Sequence, residues 1–254
     1  MKRIIAFISA VLTVSLILGG CAGIDRLSSG AYTEGERTVA DEIYKIDIDW
    51  AQGRVIVIGS EHAEEITVKD NAGDGTPLAT RIIGSVLYIK AAKPGKEAGE
   101  KSLTVIVPAG YNYSEIEIRT QSANAGIRKL KASRADIKTA SGNISVVACD
   151  IDDEAELESE TGNITANGNI ADYDIQTVSG EISITTDFIP EDLDAESVDG
   201  AVIISLPADT PVGSVKAKTG GAVTNQLTNK EKGNGYTFKS ETGNIFLLEN
   251  INSK

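Results

Sequence analysis

Residues 150–160 read DIDDEAELESE and gather Asp150, Asp152, Asp153, Glu154, Glu156, Glu158 and Glu160. Acidic runs can supply the about six to eight oxygens that a calcium ion takes. The helix–loop–helix calcium pattern fails here, because no Gly stands at its sixth position, and DNAGDGT fails too, with Ala72 where a ligand belongs. The glycine-rich nonapeptide of calcium-binding β-rolls is also absent. The run reads as a solvated acidic turn, and no metal or other cofactor is expected. His62, in SEHAEE, is the one histidine. No nucleophile-elbow sequence accompanies it, so it reads as an exposed loop residue. Cys149 sits in the apolar run ISVVACDI without a base nearby in sequence and reads as a buried, inert thiol. One His and one Cys are too few for an ordinary zinc site. No catalytic residues are assigned, and the chain is not expected to be an enzyme.

The second cysteine carries a different chemistry. Lys2 and Arg3 precede an apolar run from Ile4 to Leu18, and LGGC follows, ending at Cys21. Basic residues, apolar run, small residues and Cys in that order resemble a bacterial lipobox. That resemblance implies cleavage of a signal peptide at 1–20 and lipidation of Cys21. Two acyl chains hold a protein stably on a membrane, at about 0.8 kcal/mol per buried methylene. The expected location is the extracytoplasmic side of the cell membrane. Residues 21–37 are polar, contain Gly and Ser, and read as a flexible tether.

Composition narrows the partners. Without residues 1–20 the chain keeps 22 basic and 37 acidic residues, a net charge of −15. Nucleic acid is excluded as a partner, because phosphate binding needs concentrated Lys and Arg. The single Trp makes an aromatic-lined groove for bases or sugars improbable. Anionic lipid repels such a body, which suits a domain held off the membrane surface.

The elements that would position any site come from a repeat. KTASGNISV at 138, SETGNITA at 159, TVSGEISI at 177 and SETGNIFL at 240 restate one turn. The leading apolar residues of the copies are Ile118, Ile137, Leu157, Ile175, Ala195, Val215 and Phe238, spaced 19, 20, 18, 20, 20 and 23 apart. Self-similarity near 20 residues marks a solenoid. Two positions on stand Thr120, Thr139, Ser159, Thr177, Ser197, Ala217 and Ser240. Five positions on, after Ala123, stand Gly142, Gly162, Gly180, Gly200, Gly220 and Gly243. Glycine there suits a corner needing positive φ or close backbone approach. Strand side chains alternate, so the leading residues and those seven and nine further on face inward. The residues just after the leading ones, Arg119, Lys138, Glu158, Gln176, Glu196, Lys216 and Lys239, face outward. Of these, Arg119, Lys138, Glu158 and Glu196 are the candidate binding face. Their mixed signs form no cationic stripe of the kind that grips acidic polysaccharide. Ser and Thr of the turns share the inward parity, so they should line the corner and bond backbone groups rather than form a flat ice-binding array.

Residues 38–112 read as an irregular strand-rich cap, and 113–250 as the stacked repeats. The fold expected is all-β, a right-handed parallel β-helix or solenoid of coils about 20 residues long. An antiparallel array of hairpins is the competing arrangement. The turn T-x-S-G-x-I, following TVIVPAGYNYSEIEIRT, resembles the bacterial putative-adhesin family, a domain of unknown function. The likeness spans residues 40–248 and implies a β-helix-like fold at the cell envelope. That family supplies no catalytic residue to carry over. The functional expectation is a lipid-anchored envelope protein presenting a rigid solenoid for binding, adhesion or envelope-stress signalling. Its partner would be an envelope protein or cell-wall glycan. The short polar tail ENINSK suggests a weakly capped end and weak self-association. The alternatives are a polysaccharide-active β-helix enzyme and a structural subunit of a membrane regulator.

Overall fold

A computed structural model of the chain describes residues 31–71, 78–91, 101–208, 210–227 and 233–250. The leader 1–20, Cys21 and the start of the expected tether lie outside the described residues, as do 251–254 of the tail. Every regular element among the described residues is a strand. The first eight are β1 (Thr33–Glu34), β2 (Arg37–Val39), β3 (Lys45–Trp50), β4 (Arg54–Ser60), β5 (Ile66–Asp70), β6 (Leu78–Ile83), β7 (Val86–Ala91) and β8 (Ser102–Pro108). The repeat region adds β9 (Asn112–Thr120), β10 (Asn124–Arg128), β11 (Lys131–Thr139), β12 (Ile144–Ser159), β13 (Ile164–Thr177) and β14 (Ile182–Thr185). The last six are β15 (Asp192–Ser197), β16 (Val202–Pro207), β17 (Val212–Thr219), β18 (Val223–Asn225), β19 (Asn234–Ser240) and β20 (Ile245–Asn250).

Each coil runs a first-face strand, turns at the Ser/Thr–Gly corner, and returns along a second face. On the first face the parallel order is β7, β3, β9, β11, then the second halves of β12 and β13, then β15, β19 and β17. On the second face it is β8, β4, β10, the first parts of β12 and β13, then β14, β16, β20 and β18. The repeats thus pair in parallel, not as hairpins. The sheet as a whole is mixed, because strands of the expected cap pair antiparallel. Strands β6 and β5 pair antiparallel to β7 and β8, and β1 and β2 pair antiparallel to β6 and β5. These short strands cover the exposed edge of one end of the stack, where unpaired backbone groups would otherwise recruit another chain.

Two boundaries move. Residues 31–37 were expected in the tether, but Thr33–Glu34 and Arg37–Val39 are paired strands, and the Tyr32 ring lies 4.5 Å from the Arg81 guanidinium and 4.0 Å from the Lys90 ammonium. The repeat also begins before residue 113. Ile48 pairs with Ile118, Trp50 with Thr120 and Arg54 with Asn124, which puts Gly53 in the glycine column.

Spatial order departs from chain order at both ends. The coil 45–60 lies between coils 86–108 and 112–128. The last coil, 234–250, lies between coils 192–207 and 212–225. The copy at 212–225 is also displaced. Ala217, not Val215, pairs with Phe238, so Lys218 rather than Lys216 stands beside Lys239.

Inside, like residues stack. Ile48, Ile118, Ile137, Leu157, Ile175, Ala195 and Phe238 are buried in one column, and Val55, Ile144, Ile164, Ile182, Val202 and Ile245 in another. Full burial of such a side chain stabilises by roughly 1.5–3 kcal/mol. His62 is exposed, and Cys149 is buried and unpaired, with burial raising its pKa.

Candidate functional site

Two ladders set the geometry, one at the corner and one on the outer face. At the corner the hydroxyl column holds the glycine column. Ser159 Oγ accepts the Gly162 N–H at 2.8 Å and donates to the Gly142 carbonyl of the coil before it at 3.2 Å. Thr177, Ser197 and Ser240 donate in the same way to Gly162, Gly180 and Gly200. Coils therefore approach so closely that a Cβ on Gly162 would lie 1.8 Å from the Gly142 oxygen, and one on Gly200 1.6 Å from that of Gly180. Gly142, Gly180 and Gly243 meet the same crowding, at 1.9–2.1 Å. None of these five has positive φ, so close approach alone selects glycine. In the displaced copy the corner is one residue shorter. Gly221 takes the role expected of Gly220, since the Gly221 N–H donates to Thr219 Oγ1 at 2.9 Å.

An asparagine ladder runs beside it. Asn124, Asn143 and Asn163 each accept, through Oδ1, the backbone N–H of residues 143, 163 and 181 at 2.9 Å. The sequence reading missed this role, although the recurring Asn after Gly in SGN and TGN was its signal.

The outer side of the first face presents three columns of charge, with strands about 4.8 Å apart. Arg119, Lys138, Glu158, Gln176, Glu196 and Lys239 stand in one column, so the four candidate binding residues do share a face. Beside them run Asp47, Glu117, Asp136, Glu156, Asp174 and Asp194, then Lys45, Glu115, Arg134, Glu154, Asp172 and Asp192. The lower rows are neutralised. Lys45 lies 2.7 Å from Glu115 and 2.6 Å from Glu117, Arg119 pairs with Glu117, and Arg134 lies 2.5 Å from Glu154. Lys138 lies 2.5 Å from Glu156 and 3.5 Å from Glu158. Above them the rows of β12, β13 and β15 carry Glu154, Glu156, Glu158, Asp172, Asp174, Asp192, Asp194 and Glu196, faced from the far side by Lys239 on Glu196.

A family model described as Toastrack DUF4097 matches residues 43–250. The chain belongs to this Toastrack family. Among solved structures it is similar to a putative adhesin from Bacteroides fragilis NCTC 9343, at 13% identity and TM-score 0.54, covering 87% of this chain and 98% of that one. That likeness supports the curled all-β Toastrack fold. Looser overlaps are with a putative lipid binding protein from Parabacteroides distasonis ATCC 8503 (13% identity, TM-score 0.46, covering 85% and 97% of the two chains) and a putative adhesin from Parabacteroides merdae ATCC 43184 (17%, 0.42, 84% and 97%). No curated protein matches the chain.

In this Toastrack domain the acidic field perturbs its own carboxylates. Burial, then neighbouring carboxylates, raises Glu154, Glu158, Asp172 and Asp194 above their ordinary values. Glu156 goes the other way. Burial pushes it up, but the hydrogen bond and charge of Lys138, with Arg134 behind, outweigh burial and hold it low. The run 150–160 is not the turn expected. It lies mainly along strand β12, which spreads its carboxylates, and among the described residues no group of three metal-ligating side chains could hold an ion. The arrangement suits electrostatic recognition of a cationic surface. Several half-desolvated carboxylates wait in a fixed lattice, so a partner supplying Lys or Arg relieves repulsion as well as forming new pairs.

Proposed function

We propose that this chain is a non-enzymatic, lipid-anchored protein of the cell envelope that binds a partner through the acidic outer face. The observation that carries the reading is the fixed carboxylate field over β12, β13 and β15, under-neutralised by its own bases. A parallel stack is a rigid support for such a field, because strands are paired above and below. The hand proposed for the coil is right, the one crossovers between parallel strands adopt in nearly all cases. Lipid on Cys21 would hold the domain on the extracytoplasmic side of the membrane, and the partner would be an envelope protein with a basic surface. Among the described residues β17 and β18 are each paired on one side only, and that edge suits weak association with a second copy.

Fractionation of full-length chain tests the anchor. Wild type sediments with membranes and is digested by protease added outside intact cells. Cys21→Ser leaves the membrane fraction. Retention of Cys21→Ser in membranes overturns the anchored reading, and release of sugar from cell-wall glycan by purified chain overturns the non-enzymatic one.

A further inference from the structure

The two ends of the stack carry unlike edges. Among the described residues β17 and β18 close one end, each paired on one side only, by β19 and β20. β1 and β2 close the other end, each also paired on one side only, by β6 and β5. The cap reverses direction twice. β6 and β5 run against β7 and β8, and β1 and β2 run against β6 and β5. β1 therefore runs the way of the first-face repeats, and β2 the way of the second-face repeats. Each end offers one edge strand per face, all four in the direction of the repeats. A copy moved along the stack axis by one stack length would set its β1 beside β17 and its β2 beside β18, in parallel, as any coil meets the next.

The charges fit that stacking. From Lys218 the outer column passes through Lys239, Glu196, Glu158 and Arg119 to Asp49. It continues through Lys90 and Ala79 to Glu34. One column thus begins at a lysine and ends at a glutamate. Lys218 has Lys239 beside it rather than an acid, and Lys216 and Lys218 are both exposed. Glu34 has Ala79 beside it, and Glu34 and Glu36 are both exposed. One strand spacing, about 4.8 Å, would bring Lys218 beside Glu34 of the next copy, a favourable cross-strand pair. Like ends repel. Pairing β17 with the β17 of another copy brings Lys216 and Lys218 of both together, and like charges facing across strands are destabilising. The same end leaves apolar surface uncovered: Val215 and Ala217 are only partly buried, and Val223 is 47% exposed.

We propose that copies of this chain stack head to tail, the β17–β18 end of one on the β1–β2 end of the next. This names the mating surface for the self-association proposed above and rests on that reading. The contact is heterologous, so a free end remains after each addition and an open rod grows instead of a closed dimer. The β1 and β2 edges are only two and three residues long, so each joint is weak. Successive acidic outer faces then lie along one side of the rod, where a partner meets several at once.

The test is sedimentation of full-length chain in detergent micelles, with charge reversals at the two ends. Lys218→Glu and Glu34→Lys should each weaken association at least about threefold. An equimolar mixture of the two variants should associate as wild type does, because each reversed end finds its complement. Cross-linking with a short bis-maleimide reads which ends meet, with wild type, whose Cys149 is buried, as the control. Chains with Glu34→Cys mixed with chains with Lys218→Cys should give mixed dimers, neither should give dimers alone, and the doubly substituted chain should give trimers and longer species. Association insensitive to both reversals, or dimers formed by Lys218→Cys chains alone, overturns head-to-tail stacking while self-association stands. A strict wild-type monomer at high concentration overturns both.

Discussion

A single hydroxyl does two jobs at each corner. Ser159 satisfies the Gly162 N–H of its own coil and the Gly142 carbonyl of the coil below. Replacement by Ala strands both groups in a buried corner, and leaving such groups unpaired costs about 1–3 kcal/mol. Denaturant unfolding should show Ser159→Ala destabilised by that amount and Ser159→Thr near wild type, since Thr139 and Thr177 occupy the same column. Gly162→Ala should be worse, on the order of 3 kcal/mol or more, because the added methyl meets a carbonyl 1.8 Å away. Gly110→Ala, with nothing within 4 Å of the new Cβ, should change stability by less than about 0.5 kcal/mol. The glycine column was legible in the sequence as a repeated type. Which of two reasons selects glycine was not, because positive φ and close approach leave the same letter. The Gly220 assignment failed for a related reason. A corner shortened by one residue keeps a Gly-Gly pair in the string, and only the pairing of Thr219 with Ser240 identifies the member that matters.

The outer columns belong to whole strands, and their chemistry depends on pH. Raised pKa values at Glu154, Glu158, Asp172 and Asp194 mean that the folded chain keeps protons the unfolded chain has released. These groups favour the folded state toward acid, and the contribution is lost as pH climbs through the window just above 3.8 for Asp and 4.5 for Glu. Glu156 acts oppositely, contributing above 4.5 and losing it as pH falls below. Thermal unfolding should therefore give a higher Tm near about pH 5 than near about pH 7.5, with a fall at stronger acid. Glu158→Gln should reduce the gain between the two. A Tm that only declines from neutrality toward acid would contradict this assignment. Strand alternation made the face readable, and Arg119, Lys138, Glu158 and Glu196 do line up on it. The acidic run 150–160 misled, since Asp and Glu suggest a turn while Ile151, Ala155 and Leu157 point into the core and keep β12 extended.

For the molecule, the notable feature is that neither terminal coil of the chain is terminal in space. The stretch KIDIDWAQGRVIVIG carries the repeat pattern, yet Trp50 in place of a hydroxyl and a gap of some fifty residues to the next copy disguise it. No local pattern announces that 234–250 slips inside 212–225. That order follows from which surface is better covered. The aromatic Tyr236 and Phe238 are fully buried between two coils, whereas Val223 of the outer coil is 47% exposed. A chain ending at residue 233 should therefore lose more than one coil. Hydrogen exchange should show backbone protection gone from 212–225 as well, where a stack in simple chain order would keep it. The same end presents the open edge of β17 and β18. Sedimentation should reveal weak, concentration-dependent association, and a strict monomer at high concentration would count against it.

The outer face as a docking surface is tested most directly by capture from solubilised membranes. Full-length chain and its Glu158→Lys, Asp174→Lys and Glu196→Lys variants would be cross-linked in cells, purified and compared. The account predicts one envelope protein recovered with wild type and reduced by each reversal and by added salt. Equal recovery with wild type and all three reversals, or no specific partner at all, would contradict it.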